Sequence, residues 1–211
     1  MFDYSLLHWT TFFLAAVLLN LSPGPDIAFI LAQSARGGRR SGFAAMFGIW
    51  TGALGHVVMA ALGLSAVLAT SAVAFSVVKW LGAGYLIWLG ISALRSKGGT
   101  FEGEKIKVSA SIFPIYRQGL IVGLANPKVA VFFLAYLPQF VVVGAGPIWA
   151  QLFLHGLLII AVAALIEPPL VITGDKLTGI LRRQPKIALW MDRSLGTIFV
   201  ALGVKLAFEQ R

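Results

Sequence analysis

The segment NLSPGPDIAF, which begins at Asn20, places two prolines, a glycine and an aspartate inside an apolar stretch long enough to cross a membrane. A proline in a helix interior removes a hydrogen-bond donor and clashes with the preceding turn, at a cost of roughly 3 kcal/mol. Two prolines on either side of Gly24 therefore predict that the helix breaks there. In hydrocarbon, the backbone groups freed by a break need a partner or a water-lined cavity. We therefore interpret the break as a functional feature.

Apolar segments dominate the rest of the chain. Hydrophobic residues make up 58% of the 211 residues and charged residues 12%, and there are no cysteines. This composition predicts an all-α membrane protein without disulfides or thiolate metal sites. The length of the first apolar run argues against a cleaved signal peptide. Six spans are predicted, of which the last is too short to be assigned a full crossing: about Leu6–Ala35, Phe43–Ala69, Val77–Leu94, Gln118–Val143, Ile148–Thr173 and Ser194–Phe208.

Basic residues are concentrated in alternate loops. The loops after spans one, three and five hold most of the 17 lysines and arginines, whereas the loops after spans two and four hold none. The positive-inside rule then predicts that the basic loops are cytoplasmic and that both termini are periplasmic. This topology explains the net charge of +9. Nucleic-acid binding is disfavoured because it needs a basic face outside the bilayer, so the expected partners are the lipid bilayer and a small molecule.

The two halves of the sequence resemble each other. A shift of 102 residues places PDIAFILA, which begins at Pro25, over the start of PKVAVFFLA, which begins at Pro127, so that Asp26 meets Lys128. Three spans in each half make a true repeat an inverted one, which is a transporter architecture with its site at the midplane. We predict a single transmembrane domain over residues 1–211. Repeat one covers about 1–95, a linker about 96–114 and repeat two about 115–211.

The first break offers several groups to a ligand. Pro25 suits the first position of a new half-helix, whose free amides would attract a carboxylate. The carbonyls before Pro23 and Pro25 are acceptors for an ammonium group, and Asn20 and Ser22 add neutral polar groups. Asp26 is expected either to bind an ammonium group or to carry a proton. The alternative is a packed kink in which Asp26 only caps the helix.

The second break is predicted at Asn126 and Pro127, in the equivalent part of span four. Three roles are open for Lys128: it neutralises a bound carboxylate, pairs with Asp26, or extends to the membrane interface. Further along, Pro138 and Gln139 mark either another break or the end of the helix.

Other ionisable residues inside the spans are also candidates for function. His56 stands near Gly48, Gly52 and Gly55, which form a small-residue face, and is either a proton relay or a packed, hydrogen-bonded histidine. The same two interpretations apply to His155, for which the structural one is favoured. Glu167, which precedes Pro168 and Pro169, is either a coupling carboxylate or a group that meets interfacial water or a loop arginine.

These motifs resemble the LysE/RhtB family of bacterial amino-acid exporters. The resemblance covers nearly the whole chain and rests on NLSPGPD, RGGRRSGFAAMFGIWTGALGHVVMAALGL, KWLGAGYLIWLGISALR, FPIYRQGLIVGLANPKVAVFFLAYLPQFV and LGTIFVALGVKLA. It implies a multi-pass inner-membrane exporter of amino acids or close derivatives, driven by the proton gradient. As motif positions it implies Pro23, Gly24, Pro25 and Asp26 with Asn126, Pro127 and Lys128. Glu167 and its two prolines match no pattern of the family.

The expected function is therefore secondary active export, without an enzymatic reaction, a cofactor or a metal. No nucleophile elbow, Walker loop or zinc-ligand spacing occurs at a usable position. The rival hypotheses are a membrane-embedded enzyme, a structural or assembly subunit, and a passive channel. The transported compound and the formation of a homo-oligomer are left open by the sequence.

Overall fold

The described part of the chain consists of helices and short connections, without strands. The computed structural model describes residues 3–66, 72–95 and 111–208, so most of the predicted linker at 96–114 lies outside the described residues. The helices are α1 (Leu6–Leu21), α2 (Pro25–Met59), α3 (Ala72–Leu94), α4 (Ile112–Ala125), α5 (Pro127–Val131), α6 (Ile148–Ile172), α7 (Gly174–Arg183) and α8 (Pro185–Phe208). A π-helical turn (Ala60–Leu64) extends α2, and a second one (Phe132–Tyr136) extends α5.

Helix α2 is a hairpin of two helical segments rather than one straight rod. Gly38 has a φ of 71°, which glycine adopts without the penalty of a side chain. A straight helix would separate Ser34 from Gly42 by about 12 Å. Instead, a Cβ atom at Gly42 would clash with the Ser34 hydroxyl. The chain therefore reverses at Gly38, where the sequence predicted a longer loop between spans one and two.

The basic loops converge on one end of the bundle. Arg39, beside the Gly38 turn, lines the same cavity as Lys176 of α7. A neighbouring cavity joins Arg40 to the start of α4. At the other end of α6, the Tyr4 hydroxyl donates to Gln151 Oε1 over 3.1 Å. The Gly38 turn, the start of α4 and the α6–α7 junction thus share one end, and the N-terminal residues lie at the opposite end.

The apolar lengths agree with a multi-pass membrane protein. Within the described residues, two helical stretches are long and apolar enough to cross a membrane: Pro25–Leu64, which includes the turn at Gly38, and Ile148–Ile172. The pair Ile112–Ala125 and Pro127–Phe140, bent by 43°, counts as a third such stretch. The six-span inverted repeat stays a prediction. The chain after Tyr136 forms a 3₁₀ turn at Leu137–Phe140, so Pro138 marks the end of the helix rather than a second break within it.

The core of the bundle places α1, α6 and the α5 extension together. Phe12, Leu19, Phe132, Tyr136 and Ile159 belong to one buried apolar cluster. Helix α4 packs along α2, and α3 packs along α8. This arrangement brings the break between α1 and α2 beside the break between α4 and α5.

Candidate functional site

A buried ion pair joins the two helix breaks. The Nζ atom of Lys128 lies 2.8 Å from Oδ2 of Asp26 and 3.1 Å from Oδ1. Only 5% of Lys128 and 6% of Asp26 is exposed. The sequence left three roles open for Lys128. In the structure, Lys128 pairs with Asp26. Both residues follow the proline that starts a new helix, so the chain geometry of each break positions one charge of the pair.

Lys128 also satisfies the backbone at the first break. In a continuous helix, the carbonyl of Leu19 would accept from residue 23, but Pro23 has no N–H group. The Lys128 ammonium donates to the Leu19 carbonyl over 3.3 Å and to the Ser22 carbonyl over 2.9 Å. Of the two carbonyls that the sequence offered to a ligand's ammonium group, the one before Pro23, on Ser22, thus accepts from Lys128 in this state. The one before Pro25, on Gly24, accepts from the Ala28 amide over 2.9 Å.

The second break is closed by side chains in a similar way. Asn126 caps the new helix, because its Oδ1 atom accepts from the Lys128 amide over 3.0 Å. This leaves the Leu124 carbonyl at the end of α4 without its usual donor. Nε2 of His56 lies 3.1 Å from that carbonyl oxygen and donates to it, and the imidazole stacks on Phe133. His56 has the geometry of the packed, hydrogen-bonded alternative and makes no described contact with the ion pair.

The first break keeps several polar groups free. Gly24 provides no side-chain cap to α2, so the amides of Asp26 and Ile27 have no acceptor within their helix. Ser22 Oγ and Asn126 Nδ2 are buried and have no hydrogen-bond partner among the described residues. Asn20 is not one of these free groups, because its amide donates to the carbonyls of Ala16 and Ile159. Free donors therefore surround the ion pair, where a carboxylate or a hydroxyl group would satisfy them.

Glu167 lies beside this cluster inside the bundle. It is 3% exposed, and its Oε2 atom accepts from Trp50 Nε1 over 2.7 Å. It is close enough to Asp26 and Lys128 for electrostatic interaction with both. The sequence left open that Glu167 meets interfacial water or a loop arginine; its described partners are instead Trp50, Asp26 and Lys128. Pro168 and Pro169 lie inside α6, which continues to Ile172.

Two further polar contacts were missed by the sequence analysis. Trp50 was not identified as the partner of Glu167, although a tryptophan in the middle of a span needs an acceptor for its indole N–H. His8 was not considered, yet its Nε2 atom lies 2.8 Å from Nε2 of His155. His155 also bonds to the Gln151 carbonyl at the N-terminal end of α6, away from the ion pair, as its structural interpretation requires. In the described part of the chain, no group of three or more potential ligands is arranged for a metal ion.

Comparisons with known proteins connect this geometry to transport. A family model described as LysE type translocator matches residues 17–210. An uncharacterized membrane protein of Pseudomonas aeruginosa is 31% identical over 201 residues, which is 93% of each chain. Proteins of Salmonella typhi and Salmonella typhimurium, both named homoserine/homoserine lactone efflux protein, are 30% identical over 94% of this chain and 95% of theirs. No solved structure matches the chain.

Proposed function

Because the chain belongs to the LysE type translocator family, we propose that it is a secondary active exporter of amino acids or close derivatives, driven by the proton gradient. The observation that carries this proposal is the buried Asp26–Lys128 pair at the meeting point of two broken helices. The name of the Salmonella efflux proteins supports export of an amino-acid-like molecule. Discontinuous helices that meet inside the membrane are the usual binding sites of secondary transporters.

An amino acid matches the site because it carries the same two charges as the ion pair. Its ammonium group replaces Lys128 at the Asp26 carboxylate and at the carbonyls of Leu19 and Ser22, which already accept from an ammonium group. Its carboxylate then binds Lys128 and the free amides at the start of α2. Substrate binding thus replaces the Asp26–Lys128 pair with two ion pairs, one between Asp26 and the substrate ammonium and one between Lys128 and the substrate carboxylate. Neither protein charge is left without a partner.

Glu167 is the proposed site of proton coupling. With Asp26 and Lys128 it forms a group of two carboxylates and one ammonium within electrostatic range. One proton on Glu167 makes this group neutral overall, and its loss restores a negative charge that favours the substrate ammonium. Proton binding and substrate binding at neighbouring carboxylates are therefore linked. Asp26 acts as the substrate's counter-ion in this scheme, and His56 has a structural role.

The orientation follows from the end of the bundle at which the bases lie. Arg39, Arg40 and Lys176 lie at the end formed by the Gly38 turn and the α6–α7 junction. We assign this end to the cytoplasm and both termini to the periplasm. Alkaline phosphatase fused to either terminus should then be active, whereas fusion within residues 96–110 should give an inactive reporter.

Whole-cell efflux tests the function. Cells that express the protein are loaded with dipeptides, and amino acids in the medium are followed by mass spectrometry, with and without a proton uncoupler. Selective release of one class of amino acid, lost with uncoupler and in Asp26→Asn, is the expected result. Glu167→Gln keeps an acceptor for Trp50 but cannot ionise, so it should bind substrate more weakly than the wild type and fail to accumulate it outside against a gradient.

The rival functions give other outcomes in the same assay. Release that is insensitive to the uncoupler would indicate a passive channel. Release equal to that of cells carrying an empty vector, with wild-type amounts of protein in the membrane, would favour a structural or assembly subunit. Normal export by Asp26→Asn would remove Asp26 from the mechanism.

A further inference from the structure

Gln33 is a buried amide that the ion pair and its neighbours do not account for. Its exposed fraction is 0%, and neither Oε1 nor Nε2 has a hydrogen-bond partner among the described residues. Burial of an amide without a partner is costly, and nearly all buried polar groups in proteins are satisfied. Such an exception inside a transporter indicates a group that is reserved for a ligand.

The position of Gln33 connects it to the proposed substrate site. It follows Asp26 by seven residues on the uninterrupted helical segment before Gly38. Two helical turns place both side chains on the same face, with their Cα atoms about 10 Å apart. Helical side chains lean towards the N-terminus, so the longer Gln33 side chain extends in the direction of Asp26, whereas the shorter Asp26 side chain leans away from Gln33. A substrate whose ammonium group lies at Asp26 would have to reach Gln33 with its side chain.

We infer that Gln33 forms hydrogen bonds with the side chain of the transported amino acid. It thereby selects a short, neutral side chain that carries a hydroxyl or amide group. The inference rests on the proposed function, because it places the substrate's charged groups at Asp26 and Lys128. A carboxamide offers one donor and one acceptor without a net charge, and a hydroxyl group complements both. An apolar side chain would leave the amide unpaired, and a cationic side chain would find no carboxylate at this position.

Two pairs of isosteric substrates test the inference. Homoserine differs from norvaline, and threonine from valine, by a hydroxyl group in place of a methyl group. Export of each is measured from cells that express the wild type, Gln33→Leu, or the control Gln139→Leu. Gln139 suits the control because its amide already donates to the Ala135 carbonyl. Thermal stability of each purified protein in detergent is measured in parallel.

The wild type is expected to prefer the hydroxyl member of each pair by about tenfold, the value of one hydrogen bond. Gln33→Leu should lower this ratio to about one while its melting temperature stays equal to that of the wild type or rises. Gln139→Leu should keep the wild-type ratio.

The inference is overturned if Gln33→Leu keeps the wild-type ratio, or if the wild type exports both members of each pair equally. A lower melting temperature of Gln33→Leu with an unchanged ratio would likewise overturn it and assign Gln33 to the scaffold. If the wild type exports no amino acid at all, the proposed function fails and the inference fails with it. Export with an unchanged ratio leaves the proposed function intact.

Discussion

Asp26 and Lys128 are 102 residues apart and form an ion pair, with Nζ 3.1 Å from Oδ1. The same separation relates the two proline motifs of the sequence, so the pair joins equivalent positions of the two halves. In a protein with approximate two-fold symmetry, two equivalent residues can contact each other only if both lie near the symmetry axis. The pair is thus where an inverted repeat would have its shared site.

Removal of either charge from this pair should destabilise the protein, with unequal results. In Asp26→Asn the ammonium keeps its bonds to Leu19 and Ser22. Lys128→Met removes the donor of the Asp26 carboxylate and of the Ser22 carbonyl, whereas the Leu19 carbonyl still accepts from the Ser22 amide over 3.3 Å. We expect a loss of about 3–5 kcal/mol for Lys128→Met and less for Asp26→Asn. Thermal unfolding of both variants in detergent measures which of them loses more stability. Equal or reversed losses would contradict the role of Lys128 at the break.

Gly24→Ala should separate the ion pair while leaving the helices in place. A Cβ atom at Gly24 would lie 2.7 Å from Asp26 Oδ1 and 3.2 Å from Lys128 Nζ. Export should therefore fall at least tenfold at normal protein levels. Gly84→Ala is the matched control, since a Cβ atom at Gly84 meets nothing within 4 Å. Export by Gly24→Ala at the rate of this control would show that close approach at Gly24 is not required.

Trp50→Phe should release Glu167 from its hydrogen bond. The ring volume is largely kept, but the indole N–H that lies 2.7 Å from the carboxylate is lost. We expect a loss of about 1–3 kcal/mol in stability, because a buried carboxylate loses its donor, together with weaker proton coupling. Trp88→Phe, at a position that is 57% exposed, serves as the control. Identical stability and uncoupler sensitivity in the two variants would remove Trp50 from the coupling site.

His56→Phe should lower stability without abolishing export. Phenylalanine keeps the stacking on Phe133 but leaves the Leu124 carbonyl without a donor, which costs about 1–3 kcal/mol. Per molecule of folded protein, proton-driven export should match that of the wild type. If export is lost while the melting temperature is unchanged, His56 is a proton relay and its structural role is wrong.

Gly52→Val should prevent the close packing of α2 on α4. A Cβ atom at Gly52 would lie 2.7 Å from the Leu120 carbonyl oxygen, a backbone atom that cannot rotate away. Forced separation of two packed helices costs about 1–3 kcal/mol or more, so less protein should reach the membrane in folded form. Gly84→Val, on the open side of α3, should be tolerated. A wild-type yield of folded Gly52→Val would mean that this helix contact adapts easily.

Local chemistry explains which features of the fold were predictable. Pro23, Pro25 and Pro127 lack a backbone donor, so each break was visible in the covalent structure. The distribution of bases likewise predicted which loops share an end of the bundle. The turn at Gly38 was harder to predict from the sequence. Apolar content alone predicted a loop of several residues between spans one and two, but the chain turns at one glycine with positive φ.

The sequence by itself determined where the helices break and which charges stand at the breaks, because both follow from residues that are neighbours along the chain. Tertiary structure alone decided the partners. Lys128 with Asp26, Trp50 with Glu167 and His56 with the Leu124 carbonyl are contacts between distant segments. A buried charge or amide accepts any complementary group, and only the packing of the helices selects which one is within reach.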